Sequence, residues 1–290
     1  DRLHTDMLNP YTQLVSRLAG VYPPGEARAV ARVLLEDAFG ITLADVYAGK
    51  VREFSPHELE RLHSMADRLE KGEPVQYVAG TAQFGGLTFE VSPGVLIPRP
   101  ETLELVEWAA GDFSARTGKG NRHMRVLDIG TGSGCIAVTM AVRLAGAQVT
   151  AVDISEKALG VARRNAARNG VQVEFAVCDI LSPGADIAGN FDVIMSNPPY
   201  VCRSERAGMH RNVLDYEPHE ALFVDDTDPL VFYRAIARFA AAHLAPGGAV
   251  YVEINRRFGR ETADVFSAAG FASVELRKDS AGNPRMIKAK

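Results

Sequence analysis

Val126-Leu127-Asp128-Ile129-Gly130-Thr131-Gly132-Ser133-Gly134-Cys135-Ile136 decides how the rest of the chain is read. Val126–Ile129 is a short apolar run of strand type, three glycines follow at alternate positions, and residues 136–144 have the spacing of a helix. A strand that turns over glycines into a helix turns the helix's first N–H groups toward negative charge. The absent side chains let a ligand reach the backbone. The spacing is G-x-G-x-G, shorter than the dinucleotide pattern G-x-G-x-x-G. With no pyrophosphate to wrap, it suits a carboxylate-bearing nucleoside such as S-adenosylmethionine. Without a ligand, the same stretch reads as a tight strand–helix turn.

Downstream, the alternation continues. Residues 149–152 form a strand, 156–169 a helix ending at Gly170, and 171–177 and 193–195 further strands. A long helix spans 230–244, closed by Pro246-Gly247-Gly248. After it come a strand at 249–254, a helix at 261–269 and terminal strands at 272–276 and 286–288. Such alternation predicts an α/β fold with a mainly parallel sheet covered on both faces.

Upstream, the first 72 residues show helical spacing only. Pro24 stands at a first helical position and Gly40 stops that helix; Ser55-Pro56-His57-Glu58 has the form of a capping box. Residues 75–78 and 87–91 flank Gly85-Gly86, which predicts a hairpin. Pro98-Arg99-Pro100 stiffens the segment before a helix that opens at Thr102. The predicted organisation is a helical recognition domain (1–72), a hairpin linker (73–101) and a catalytic domain (102–290).

Composition limits the functions on offer. Of 290 residues, 47% are hydrophobic and 23% charged, with a net charge of −4. That is ordinary globular composition. The charge argues against a dedicated, non-specific binder of phosphate backbones. Cys135, Cys178 and Cys202 form no CxxC pair, and the seven histidines show no metal-ligand spacing. No apolar run approaches membrane-spanning length and no signal-peptide pattern follows Asp1. The expectation is a cytoplasmic protein, monomeric by default, without metal.

Three further motifs stand where a parallel sheet presents its carboxyl edge. Asp153 follows Gly130 by 23 residues, the remove at which an acid accepts ribose hydroxyls. The competing reading is a helix cap, a role Ser155 also fits. Asp179, after Cys178, is placed to accept from an adenine amino group or simply to form a turn, and Ile180 to pack on the adenine face.

The sharpest motif is Asn197-Pro198-Pro199-Tyr200. Two prolines fix the backbone so that the Asn197 side-chain oxygen and the Pro198 carbonyl face one pocket. Two acceptors match the two N–H groups of a planar –NH2, and Tyr200 offers a stacking face. Holding both hydrogens out of the conjugated plane aims the nitrogen lone pair at a methyl–sulfonium, which is transition-state stabilisation with positioning.

The chain resembles the N5-glutamine methyltransferases that modify peptide-chain release factors (the PrmC/HemK family). The resemblance runs over nearly the whole length: Glu73-Pro74 with Tyr77, Gly80 and Phe84; the run from Leu96 to Thr102, with Pro-Arg-Pro-Glu-Thr as its discriminating part; Asp128 to Gly134; Asp153; Asn197 to Tyr200; and a D-x-x-G-x-x-R pattern at Asp279, Gly282 and Arg285. It implies a class I methyltransferase domain, a Rossmann-like and mostly parallel seven-stranded sheet, behind a small helical bundle and hairpin. It implies S-adenosylmethionine as methyl donor, leaving S-adenosylhomocysteine, and the glutamine of a release factor's Gly-Gly-Gln motif as acceptor. Gly130, Thr131, Gly132, Ser133, Gly134, Asp153, Asp179 and Ile180 would hold the cofactor, with Asn197 bordering it. Asn197, Pro198, Pro199 and Tyr200 would hold the glutamine amide, under a cover around Arg99 and Glu101. Two positions depart from the family: Leu103 stands where it repeats Glu, and Asn255 where it has Gly.

An adenine-N6 methyltransferase on DNA or RNA would use the same Asn-Pro-Pro-Tyr logic on a flipped base. It calls for a basic groove. Residues 1–72 carry nine basic and eleven acidic side chains, so direct nucleic-acid binding is not expected. A non-catalytic adaptor would be expected to have lost Asn197 or the glycine loop, and both are intact.

Overall fold

The computed structural model describes residues 9–116, 123–183 and 187–290. They divide into two compact units. One comprises residues up to Ala82 with Val91–Pro93 and Met209–Glu217; the other comprises Gln83–Glu90, Gly94–Gly208 and Pro218–Lys290.

The first unit is helical. Its helices are α1 (Pro10–Leu18), α2 (Pro24–Phe39), α3 (Leu43–Tyr47), α4 (Pro56–Glu70) and α5 (Val75–Ala79). The capping box at α4 forms as read: Glu58 N–H donates to Ser55 Oγ at 3.3 Å, and Ser55 N–H donates back to Glu58 Oε2 at 2.8 Å. Hydrogen bonds from the Ser55 hydroxyl and N–H hold the Glu58 carboxyl below its ordinary pKa. Gly40 ends α2 with φ +67°, the left-handed position only glycine takes freely. Leu14, Leu18, Leu34, Leu35, Leu62 and Leu69 meet in one buried cluster.

Residues 75–78, read as the first strand of the hairpin, are instead part of α5. Pro74 stands at its N-cap and Gly80 takes the left-handed position at its end, while Tyr77 and Val78 are buried. Four residues of mixed pattern do not separate a strand from one helical turn; burial of Tyr77 and Val78 does. The hairpin itself is β1 (Thr81–Phe84) and β2 (Leu87–Glu90), around Gly85-Gly86.

The second unit holds a seven-stranded sheet. Its strands are β3 (Arg125–Ile129), β4 (Gln148–Asp153), β5 (Glu174–Val177), β6 (Phe191–Ser196), β9 (Leu244–Glu253), β10 (Val274–Lys278) and β11 (Pro284–Ala289), in the order β10-β11-β9-β6-β3-β4-β5. The run β9-β6-β3-β4-β5 is parallel and β11 is antiparallel to both neighbours. Alternate residues feed two cores: Val126, Val193 and Tyr251 point to one, Leu127, Ile194 and Val252 to the other. The first is covered by α6 (Pro100–Phe113) and α7 (Cys135–Arg143), with Ala166 from α8 (Glu156–Arg168). The second is covered by α11 (Val231–His243) and α12 (Gly259–Ala268). Both faces are apolar because both are covered, which is why the strands read as continuous hydrophobic runs.

The connection from 201 to 230 carries β7 (Val201–Cys202), α9 (Arg211–Tyr216), α10 (His219–Leu222) and β8 (Phe223–Val224). β7 and β8 pair in parallel. No helix among the described residues is long and apolar enough to cross a membrane.

Candidate active site

β3, β4 and β6 are neighbours and parallel, so their carboxyl ends bring Gly130, Asp153 and Asn197 to one edge. A cavity of about 300 Å³ opens there. Gly130, Gly132, Asp153, Asp179, Ile180 and Asn197 are among its lining residues. This is the crevice outside the strand ends where open α/β sheets bind ligands.

The glycine loop does two separate jobs. Gly130, Gly132 and Gly134 all have positive φ, at +71°, +54° and +82°. A Cβ on Gly130 or Gly132 would meet no heavy atom within 4 Å, and both residues line the cavity. A Cβ on Gly134 would lie 3.0 Å from Ala162 Cβ and 3.2 Å from Ala162 Cα, so Gly134 serves the packing of the loop on α8. Thr131 and Ser133 are buried and border a smaller pocket beside the loop, not the large cavity.

Below the loop, Asp128 is fully buried. Its Oδ2 accepts from Thr131 Oγ1 at 2.6 Å and from Ala137 N–H at 3.2 Å in the first turn of α7, while Oδ1 has no partner among the described residues. Burial pushes its pKa up to about 7, against those two hydrogen bonds, which favour the charged form.

Asp153 ends β4. Its Oδ2 accepts from Gly132 N–H and its Oδ1 from Ser155 N–H, each at 2.9 Å. The helix cap falls to Ser155, whose Oγ accepts from Ala158 N–H at 3.2 Å. Asp153 therefore ties the glycine loop to the start of α8 from the cavity wall. Burial raises its pKa. Asp179 also lines the cavity, with Oδ1 accepting from Leu181 N–H at 2.9 Å, a turn contact. Ile180 is buried and joins the core behind it.

Asn197 borders both cavities. Its Nδ2 donates to Thr102 Oγ1 at 3.1 Å, and Thr102 Oγ1 donates to Glu253 Oε2 at 2.6 Å. Neither Asn197 Oδ1 nor the Pro198 carbonyl accepts a hydrogen bond from the described residues. Pro199 lines the large cavity; Tyr200 does not. The Tyr200 ring packs on the second core and its hydroxyl donates to Glu253 Oε1 at 2.8 Å. Burial and the Glu253 charge raise its pKa well above the ordinary phenol value. The hydroxyl contact anchors Tyr200 beside Glu253.

Leu96, Pro98 and Arg99 line the smaller pocket opposite Gly130 and Gly132, so this segment faces the glycine loop. Glu101, in the first turn of α6, lines neither cavity.

Several residues at the site escaped the sequence reading. Thr102 enters the sequence reading as a helix start and the last residue of the Pro-Arg-Pro-Glu-Thr run, and Glu253 only as part of the strand at 249–254; neither is given a contact there. Ile154 is 63% exposed yet lines the cavity, as does Phe232 at the head of α11. An apolar residue directly after a strand-end acid was a usable signal for Ile154. Asn165 of α8 is fully buried: its Nδ2 donates to the Ser133 and Glu90 carbonyls at 2.8 and 2.9 Å, tying the glycine loop to β2. Of the two departures from the family, Leu103 packs against the first core and Asn255 finds a hydrogen-bond partner. Asn255 Nδ2 donates to the Tyr200 carbonyl at 2.9 Å. Glu104, next to Leu103, accepts from Ser280 N–H at 3.1 Å.

Residues 11–80 match the PrmC N-terminal domain, and residues 115–214 match the methyltransferase small domain. The chain is 43% identical to the release factor glutamine methyltransferase of Bacteroides thetaiotaomicron, over 94% of this chain and 95% of that one. It is 41% identical to that of Flavobacterium psychrophilum, over 97% of each. Among solved structures, it shares its fold with the 16S rRNA N2 G1207 methyltransferase of T. thermophilus, in complex with AdoMet and guanosine. The TM-score is 0.50 and the identity 22%, over 72% of this chain and 49% of that one.

Proposed function

The chain belongs to the release factor glutamine methyltransferase family, and on that premise we propose that it moves a methyl group from S-adenosylmethionine to the side-chain amide nitrogen of the glutamine in a release factor's Gly-Gly-Gln motif. The observation that carries the reading is the Asn197 amide: its nitrogen is held by Thr102, and its oxygen has no donor among the described residues and stands at the cavity.

The cavity fits the cofactor. Two glycines without Cβ neighbours allow close approach of a ligand to backbone, Asp153 and Asp179 supply acceptors, and Ile154, Ile180 and Phe232 supply an apolar wall. Bound there, the cofactor supplies an electrophilic methyl group on a sulfonium. The protein's part is to bind and orient the amide. Asn197 Oδ1 and the Pro198 carbonyl accept its two N–H groups and bias the nitrogen toward a pyramidal geometry with its lone pair free. After transfer the nitrogen loses a proton to water, so no strong general base is assigned. The Leu96–Arg99 segment covers the pair, with Arg99 at the smaller pocket. In this reading the enzyme acts as a cytoplasmic monomer, meets a protein substrate and makes no direct contact with nucleic acid, and the helical region up to residue 72 serves substrate recognition.

Incubation with labelled S-adenosylmethionine and three acceptors tests this: a release factor, its Gln→Ala variant, and DNA. Label on the unaltered release factor alone is expected. Label on DNA, or equal label on both proteins, would sink the reading in favour of the adenine-N6 alternative or of another acceptor residue.

A further inference from the structure

Glu253 is a fully buried carboxylate at the end of β9, and it borders neither cavity. We propose that Glu253 and Thr102 are positioning residues that lock the Asn197 carboxamide with its oxygen toward the acceptor, and thereby make the site select an –NH2 group over a carboxylate. The inference rests on the reading that the acceptor amide docks at Asn197.

The argument is a count of donors and acceptors. An ionised carboxylate only accepts. Glu253 Oε1 takes the Tyr200 hydroxyl at 2.8 Å and Oε2 takes the Thr102 hydroxyl at 2.6 Å. Thr102 has one hydroxyl proton, and it is committed to Glu253. Toward Asn197 the Thr102 oxygen can therefore only accept, and Asn197 Nδ2 donates to it at 3.1 Å. If the carboxamide turned over, its oxygen would face the Thr102 oxygen with no proton between them. A negative charge on Glu253 thus fixes direction along two links: Asn197 to Thr102, and Thr102 to Glu253.

The three groups come from three element ends: Asn197 just past β6, Thr102 in the first turn of α6, Glu253 at the end of β9. Their neighbours complete the device. Tyr233 of α11 donates its hydroxyl to the Glu253 carbonyl at 3.1 Å. Burial raises the Glu253 pKa, while the Thr102 and Tyr200 hydroxyls and the charge of Arg285 of β11 favour its ionised form. Arg285 is itself held by Asp279, Nε to Oδ2 at 3.0 Å, while Asp279 Oδ1 accepts from the N–H groups of Ala281 and Asn283. The D-x-x-G-x-x-R motif thereby gains a use: it fixes the counter-charge of the buried Glu253.

The consequence is selectivity. Asn197 Oδ1 and the Pro198 carbonyl present two acceptors and no donor. A glutamine amide satisfies both with its two N–H groups. A glutamate carboxylate would set oxygen against oxygen and bring a second negative charge toward Glu253. Sites built to pair a substrate N–H reject analogues that lack it by large factors, because their own polar groups are left unpaired.

The test uses the full chain with T102V (same shape, no hydroxyl), T102S (hydroxyl kept) and E253Q. With a release factor as acceptor, T102V and E253Q are expected to lose roughly a hundredfold in kcat/KM, the scale seen when one oriented dipole of a site is lost. Affinity of T102V for S-adenosylhomocysteine should stay near the parent's, while its unfolding midpoint falls because the buried Glu253 carboxylate loses a donor. T102S should recover most of the loss. Retention of parental kcat/KM by T102V, or a loss in T102S equal to that in T102V, would overturn the inference. A second readout needs no turnover: in 15N-labelled protein, one Asn197 side-chain amide proton should be protected from exchange in the parent and T102S and unprotected in T102V. Absence of that protection in the parent would also overturn it. A parent that shows the protection but leaves release factor unlabelled would overturn only the functional reading.

Discussion

Replacing Gly134 and Gly132 by alanine, one at a time, separates the two jobs of the glycine loop. At Gly134 the backbone sits at φ +82°, which costs an L-residue about 1–2 kcal/mol. The new Cβ would also lie 3.0 Å from Ala162 Cβ and 3.2 Å from Ala162 Cα. That neighbour is a helix backbone and cannot swing aside, so overpacking adds about 1–3 kcal/mol. The combined loss is about 2–5 kcal/mol. In a chain of this size each kcal/mol moves the unfolding midpoint by roughly 2–4 °C, so Gly134→Ala should fall by several degrees or more. At Gly132 φ is +54° and a Cβ meets nothing within 4 Å, leaving only the conformational strain of about 1–2 kcal/mol. Its methyl stands in a loop position that lines the cavity, so affinity for S-adenosylhomocysteine should drop by about tenfold or more, equivalent to about 1.4 kcal/mol. Thermal unfolding without ligand and titration calorimetry read the two effects apart. Equal midpoint losses in both variants, or a Gly132→Ala protein that binds as tightly as the parent, would refute the assignment.

Three other outcomes follow from the same geometry. Asp128 has a folded-state pKa of about 7, above its unfolded value, so the folded protein holds an extra proton between about pH 4 and 7 and loses stability as pH rises through that window. Asp153, also raised by burial, has the same sign. The stability of Asp128→Asn should therefore fall less than the parent's between pH 5 and 8, and parallel melting curves across that range would count against it. Ser55→Ala removes the side-chain half of the α4 capping box and should cost about 1 kcal/mol in chemical denaturation, with Ser55→Thr close to neutral. Asn165→Leu strands the Ser133 carbonyl and both Glu90 backbone groups, so about 2–3 kcal/mol of stability should go. An unchanged midpoint would show that the loop does not depend on this tie.

Much of this protein was written in local pattern. The β3–glycine–α7 stretch, the Ser55 capping box and the stop at Gly40 depend on residues within a few positions of each other, where side-chain period and backbone freedom leave one answer. The same holds for the edge on which Gly130, Asp153 and Asn197 meet, because parallel strands align their ends. The tertiary structure decided what depends on distant partners. Residues 75–78 became a helical turn in which Tyr77 is buried and Val78 joins the helical core. Gly134 proved to be a packing glycine only once α8 was laid against it. Tyr200, with the shape of a stacking residue, turned toward Glu253, 53 positions away. Thr102, Asn197 and Glu253 carry no joint signature in the chain. A hydrogen bond needs a partner at about 3 Å, and only the folded sheet brings those three element ends to that distance.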